Sequence, residues 1–337
     1  MNPELRPDFS LQGEDEIFQQ MIKLTVKMME ESKDGCPLRV QHAKATACVT
    51  ASFEIEQDIP DDLRYGIFTQ PGRTFDAIVR FSNAQGSIEP DGEATGRGLA
   101  IKLPEVDGSR ALEGDTDRSQ DFLFVNHPVF PFPTPKEYLE IIERKNIPLV
   151  GDLLTLAHLF FDRDQLEIIK KIRAKSIASP LSSPYWSGAP FWLGDAAGTT
   201  GQAVKYSAIP AAHTPGPADP EKMSADYLRE AVAEHLAQQE AIFDFMVQQQ
   251  GDPVKMPIED ASVYWDEQKS VPVKVATLRI AMQPVEKGSE LKKRCEAMSF
   301  TPWHAQKEHR PLGGINRLRK AVYSASFTER ERRKKAV

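Results

Sequence analysis

Four short runs rich in β-branched, small and aromatic residues follow one another between Ala45 and Val125, separated by Gly, Asp and Asn turn signals. They are Ala45–Ile55, Phe75–Ser82, Gly98–Leu103 and Phe122–Val125, and their texture predicts strands. A helix is expected before them over residues of about 14 to 33, where Ile17, Met21, Leu24, Met28 and Met29 fall at near-helical spacing. After them, Pro135 to about Ser176 switches to helical texture, with Thr134-Pro-Lys-Glu137 as cap and first turn. The Pro/Gly/Trp-rich run from Ser179 to Gly201 reads as a long loop. A strand follows at Ala203–Ile209, a helix lies within Asp219–Gln250, and the last strand is Val273–Met282. Asn316–Lys335 is strongly basic and helical in period, the pattern of a solvated helix end. Strands, a helical insertion, further strands and a terminal helix predict an α+β fold: an antiparallel barrel with helices packed outside it.

With 337 residues, 40% of them hydrophobic, the chain can bury one large core or two modest ones. Its net charge of -7 argues against a nucleic-acid surface. Cys36, Cys48 and Cys295 fit no metal spacing and leave one thiol over in any disulfide scheme, which points to a reducing compartment. The N-terminus has no basic-then-apolar-then-small pattern, so no secretory signal is expected. The most apolar stretch, Ile147–Phe161, is interrupted by Asp152 and His158 and falls short of a membrane span. A cytoplasmic protein without stable membrane insertion is expected.

Common motifs are absent. The seven histidines form no HExxH pair, and there is no GxSxG, Walker loop or GxGxxG after a strand. Two local arrangements stand out. Arg319 and Tyr323 are spaced i, i+4, which on a helix sets a guanidinium beside a phenol. A fixed cation there favours the phenolate, a hard anionic ligand for ferric iron. Arg39-Val-Gln-His42 leads into an alanine-rich strand, where a histidine becomes an acid–base group only with a cofactor opposite and an orienting partner. Taken singly, an exposed Arg–Tyr contact and a satisfied structural histidine are the better descriptions of these two.

Read together and in order, the fragments resemble the haem catalase superfamily. Arg39-Val-Gln-His42-Ala-Lys is similar to the segment carrying the distal histidine. Ile78-Val-Arg80-Phe-Ser82 and Arg97-Gly-Leu-Ala-Ile-Lys102 are similar to two adjoining strands of that family. Asp121-Phe-Leu-Phe-Val-Asn126-His-Pro-Val-Phe130 resembles its distal-asparagine segment. Phe300-Thr-Pro302 and Arg319-Lys-Ala-Val-Tyr323 resemble its FNP turn and proximal pair. The sequence also departs from the pattern. Val125-Asn126 stands where catalases have two asparagines, which offsets Asn126 by one position unless the strand shifts. Gln41 replaces the usual valine, Ala45 a glycine, and Tyr323-Ser-Ala-Ser the usual Tyr-Pro-Asp-Thr.

The resemblance implies a catalase-type barrel at about 40–282, an N-terminal helix, and a C-terminal haem-binding helix at about 315–332. Residues 1–337 would then form a single haem-binding domain. It implies ferric haem, of the b type, on Tyr323 as metal ligand. Arg39, Arg80, Arg319, Arg330 and Phe130 are the expected cofactor-binding residues, and His42, Ser82 and Asn126 the expected catalytic ones. Phe81 is a second candidate for the apolar wall. The expected reaction is peroxidase or catalase-related cleavage of hydrogen peroxide or an organic hydroperoxide through an oxoferryl intermediate, with an organic electron donor. A fatty-acid-hydroperoxide isomerase or lyase of the allene oxide synthase type is a second reading, with the Trp186, Phe191 and Trp192 loop lining an entry channel. A non-enzymatic haem-binding protein is a third. The chain lacks room for the arm and extra helical domain of large catalases, so a dimer or monomer is expected.

Overall fold

Valine, isoleucine, threonine and the aromatic residues fit a pleated surface half of which is buried, and each of the predicted runs forms a strand. In the computed structural model, which describes residues 3–6, 9–32, 35–145, 163–173 and 176–335, the strands are β1 (Ala45–Ile55), β2 (Thr74–Asn83), β3 (Arg97–Leu103), β4 (Gln120–Val125), β5 (Tyr185–Trp186), β6 (Phe191–Gly194), β7 (Gly201–Pro210), β8 (Ala241–Gln249) and β9 (Val273–Ile280). All pair antiparallel, in the order β5-β4-β3-β2-β1-β9-β8-β7-β6. β5 also pairs with β7, through Tyr185↔Ala208 and Trp186↔Ser207, which closes eight of the strands into a barrel. Closure leaves no open edge among those eight. β6 lies further along the same side of β7.

Strand alternation divides the barrel into an inside and an outside. Phe53, Val79, Phe81, Leu99, Ile101, Phe122 and Phe245 are fully buried and belong to one core. Phe245 stands among Phe53, at 5.0 Å between ring centroids, and Phe122, at 4.8 Å. Phe81 packs inside with Tyr185 and Phe243, so it lines the core and not a site wall.

The helices are α1 (Glu14–Lys27), α2 (Pro135–Lys145), α3 (Arg163–Arg173), α4 (Tyr227–Leu236), α5 (Glu290–Ala297) and α6 (Gly314–Lys334). α1, α2 and α6 bury Met21, Leu139 and Leu318 against one another. A capping box starts α2: Thr134 Oγ1 donates to Glu137 Oε2 at 2.9 Å, and Glu137 N donates back at 3.4 Å. Arg317 on α6 holds Glu14 of α1 at 2.7 Å and Glu259 at 2.8 Å, both through Nη2. Arg333 donates to the carbonyls of Val26 and Met29, which fastens the basic end of α6 to the end of α1.

Several expectations are corrected. The first helix stops at Lys27 and not at 33, since Met28 caps it. The expected loop 179–201 contains β5 and β6, which form because β7 supplies their backbone partners. The segment 219–250 holds α4 and then β8, whose inward residues Ala241, Phe243, Phe245 and Val247 alternate with outward ones. α5 was not anticipated: only Cys295 of its eight residues is buried, so it shows no apolar stripe. The helical region 135–176 is seen as α2 and α3. Ile147–Phe161, with His158, lies outside the described residues. No helix among the described residues is long and apolar enough to cross a membrane.

Candidate active site on the outer face of the barrel

Three barrel strands set one row of side chains. The register pairs Ser82 of β2 with Gly98 of β3, and Gly98 with Val125 of β4. Phe81, Leu99 and Phe124, their sequence neighbours, are buried in the barrel core. The row therefore lies on the outer face. His42 comes down on it from the segment before β1. Its Nδ1 is 3.0 Å from Ser82 Oγ. A β-carbon at Gly98 would stand 2.5 Å from His42 Nδ1 and 2.8 Å from Ser82 Oγ. Glycine is what lets the imidazole lie against the sheet. His42 itself has φ of 57°, a left-handed conformation unfavourable for a residue with a β-carbon. Hydrogen bonds hold it there: His42 N donates to Ala84 O at 3.1 Å, and its carbonyl accepts from Arg80 Nη2 at 2.8 Å. Strain of this kind gathers at functional sites.

Burial pushes the His42 pKa down to about 3, with Arg80, Arg319 and Arg39 adding repulsion. The imidazole is thus neutral at physiological pH. Donation of Nδ1–H to Ser82 would leave Nε2 with its lone pair, the form a general base requires.

Arg39, Arg80 and Arg330 gather beside this histidine around a single carboxylate, Glu296 of α5. Arg80 Nε holds Glu296 Oε1 at 3.1 Å. Arg39 Nη2 donates to the carbonyls of Cys295, Glu296 and Met298 at 3.0–3.2 Å, capping the negative end of α5. Burial, then Arg80 and Arg330, pushes the Arg39 pKa down to about 9. Arg330 is 3% exposed, and its Nε and Nη2 have no hydrogen-bond partner among the described residues. Its pKa is lowered too, by burial first. A buried guanidinium without a counterion is costly. Three of them around one carboxylate make a place for further negative charge.

On α6, Arg319 Nη1 donates to Asn316 Oδ1 at 3.0 Å, and Nε donates to Tyr323 Oη at 3.4 Å. The guanidinium carbon is 5.4 Å from the Tyr323 ring centroid. Arg319 also contributes to the field on His42, which brings the two ends of the chain to one neighbourhood. Phe130 stands edge-on to Tyr138 at 5.4 Å and to Phe132 at 5.9 Å.

Asn126 follows directly on β4. Its N–H and Oδ1 both bond to the backbone of Arg97, at 2.9 and 2.8 Å. Arg97 in turn donates to Asn83 Oδ1 at 2.5 Å. Asn83 and Arg97 thus form the row next to Ser82 and Gly98 and take the opposite face, whereas Asn126 follows the end of β4 at Val125. Val125 is the β4 side chain that shares the face of Ser82. Of the aromatic run 186–192, Trp186 is half-buried beside Lys205 and Gln248, while the other two rings are packed into the interior. Phe191 and Trp192 are buried, and Trp192 Nε1 donates to Asp195 O at 3.0 Å. Sequence reasoning missed Gly98 and Glu296. Gly98 stands inside a quoted fragment, and only the register shows its use.

Two outcomes follow. Gly98→Ala is expected to displace His42 from Ser82 and to cost about 1–3 kcal/mol of stability. Histidine NMR should then show the displaced imidazole titrating well above 3, towards 6.5. The second concerns acid. His309, fully buried between Tyr206 Oη and Ile67 N, is also pushed down to about 3 by burial. Its folded pKa lies below the unfolded one, so its contribution is present above 6.5 and is lost as pH falls from 6.5 towards 3. Urea denaturation at pH 7, 6 and 5 should show about 1.4 kcal/mol lost for each unit below 6.5 from His309 alone.

Residues 11–153 match the catalase family model. No curated protein sequence matches the chain. Among solved structures, the fold is similar to a fungal catalase, with a TM-score of 0.69 and 17% identity over 95% of this chain and 63% of that one. It is similar to catalase A from Saccharomyces cerevisiae, with a TM-score of 0.70 and 17% identity over 88% of this chain and 62% of that one. A bacterial catalase gives 0.68 and 16% identity over 96% and 61%. The chain thus spans less than two thirds of the length of these catalases, and what it shares with them at such identity is the fold. Residues 11–153, less than half of the chain, match the catalase family, and the barrel as a whole has the fold of the catalases.

Proposed function

We propose that the chain is a haem-dependent peroxidase that cleaves hydrogen peroxide or an organic hydroperoxide, with residues 1–337 acting as one haem-binding unit. The observation that carries this reading is the surplus of buried positive charge. Arg39, Arg80 and Arg330 share one carboxylate, and Arg330 leaves two nitrogens without a partner among the described residues. A ligand with two carboxylates fits that surplus, and haem has two propionates. Arg39, Arg80 and Arg330 would hold them through charge-assisted hydrogen bonds. Tyr323 would hold the iron through its phenol oxygen, with Arg319 beside it, and Phe130 would contribute apolar surface. When bound, haem b would supply the ferric iron at which the O–O bond is cleaved.

The chain's own part is proton handling. His42 Nε2, neutral and unencumbered by its Nδ1 contact with Ser82, accepts the proton of the incoming peroxide. The same nitrogen returns it to the departing oxygen, which leaves as water or an alcohol and not as an anion. Ser82 fixes the ring, and Gly98 gives it room. The two electrons of peroxide reduction come from an organic donor.

A carrier of haem needs no acid–base group, so one pair of variants separates enzyme from carrier. His42→Ala is expected to keep its haem and to lose about 100-fold or more in peroxide turnover. Turnover that survives this change contradicts the proposal. Arg330→Met tests the cofactor separately. It should leave the haem-free protein as stable as before or more stable, because it removes an uncompensated charge. Haem affinity should fall by about 1.5–3 kcal/mol, read by absorption titration.

A further inference from the structure

The cations beside His42 do not depend on Glu296 for their positions. Arg39 stands on the carbonyls of Cys295, Glu296 and Met298 at 3.0–3.2 Å, and Arg80 on those of His42 and Ala43 at 2.8 and 3.4 Å. Both use Nη2 for these backbone contacts. The Glu296 carboxylate meets a different nitrogen of each, Arg80 Nε at 3.1 Å and Arg39 Nε at 3.8 Å. Of the carboxylates that act on Arg330, Glu296 acts most and Glu331 less, and Glu331 is already held by Lys334 at 2.7 Å. Arg80 and Arg330 are buried, whereas Glu296 is half-buried. Burial alone would push the Glu296 pKa up; Arg80 and Arg39 outweigh it and hold the carboxyl below the usual carboxylate range, so it is ionised at neutral pH. Three guanidiniums against this one carboxylate leave two positive charges.

We propose that Glu296 sets the charge preference of the anion site: it cancels one of the three guanidinium charges and matches the remainder to a ligand with two carboxylates. The inference rests on the function proposed above and names the residue that selects the ligand of that site. With Glu296 in place, two ligand carboxylates bring the cluster to balance. A ligand with one carboxylate leaves a buried cation uncompensated, and a third carboxylate would itself be unpaired; either is costly. Because backbone carbonyls position Arg39 and Arg80, removing the Glu296 charge changes the field of the site and keeps its shape. A field acts on a ligand in proportion to the ligand's charge, whereas a lost brace weakens every ligand of one shape alike. The two roles are separable on that ground.

The test titrates haem, its monomethyl ester and its dimethyl ester into wild type and Glu296→Gln, followed by absorption. Glutamine keeps the size of the side chain and an oxygen for Arg80 Nε, and removes only the charge. Glu296→Gln should bind haem about tenfold more tightly, the monoester about threefold more tightly and the diester as before, since the gain scales with ligand charge. The haem-free variant should unfold at a lower urea concentration than wild type, because its three guanidiniums have lost their counterion. Adding Arg330→Met should restore the midpoint by restoring the surplus of two. Equal changes for all three ligands, or weaker binding of haem, would overturn the inference and leave Glu296 as a brace for Arg80. An unchanged midpoint in the haem-free variant would overturn the charge balance on which it stands. A wild type that takes up none of the three ligands would overturn the proposed function; uptake by the wild type without a graded change in the variant overturns this inference alone.

Discussion

Where any other residue carries a β-carbon, Gly98 carries hydrogen, and the His42 imidazole occupies the space so made. The rest of the site is arranged from that contact. The ring can reach Ser82 because it lies flat enough on the barrel, and the backbone of His42 accepts a left-handed conformation to place it there. Arg80 joins the arrangement from the same strand as Ser82, two residues away and so on the same outer face, and bonds the His42 carbonyl. The barrel core, packed around Phe245 and Phe122, keeps β2, β3 and β4 in a single register, since a slip of one residue would exchange the two faces.

The second constraint is charge. Burial, and then the positive field of Arg80, Arg319 and Arg39, keeps the His42 imidazole neutral. The same arginines are only partly neutralised by Glu296. That imbalance costs stability in the isolated protein and offsets the cost of desolvating an anionic ligand when one binds. α5 serves this arrangement twice, through the Glu296 carboxylate and through the carbonyls that Arg39 caps. Proton handling and anion binding are thus two uses of one cluster of cations.

The strands of the first half were legible because each has a clear texture and a turn signal at its end; β1 begins and ends where the sequence predicts. β5 and β6 were not, because two and four residues carry no period and exist only through their pairing with β7. β8 does alternate, but it follows α4 closely, and within 219–250 the sequence signals only the helix. At the site, Arg39, His42, Arg80, Ser82, Arg319, Tyr323 and Arg330 could be named from the fragments in order, and the fold brings their segments together. Asn126 could not be placed from the sequence, because it stands just past the end of β4, where strand alternation no longer decides the direction of a side chain. Glu296 gave no signal on a polar helix.

The most direct test of the account is the absorption spectrum of the protein loaded with ferric haem, compared with that of Tyr323→Phe. The account predicts uptake of haem, a high-spin ferric spectrum with the charge-transfer features of a phenolate ligand, and loss of those features in the variant. A protein that takes up no haem, or one whose spectrum is the same with and without the Tyr323 hydroxyl, would contradict it.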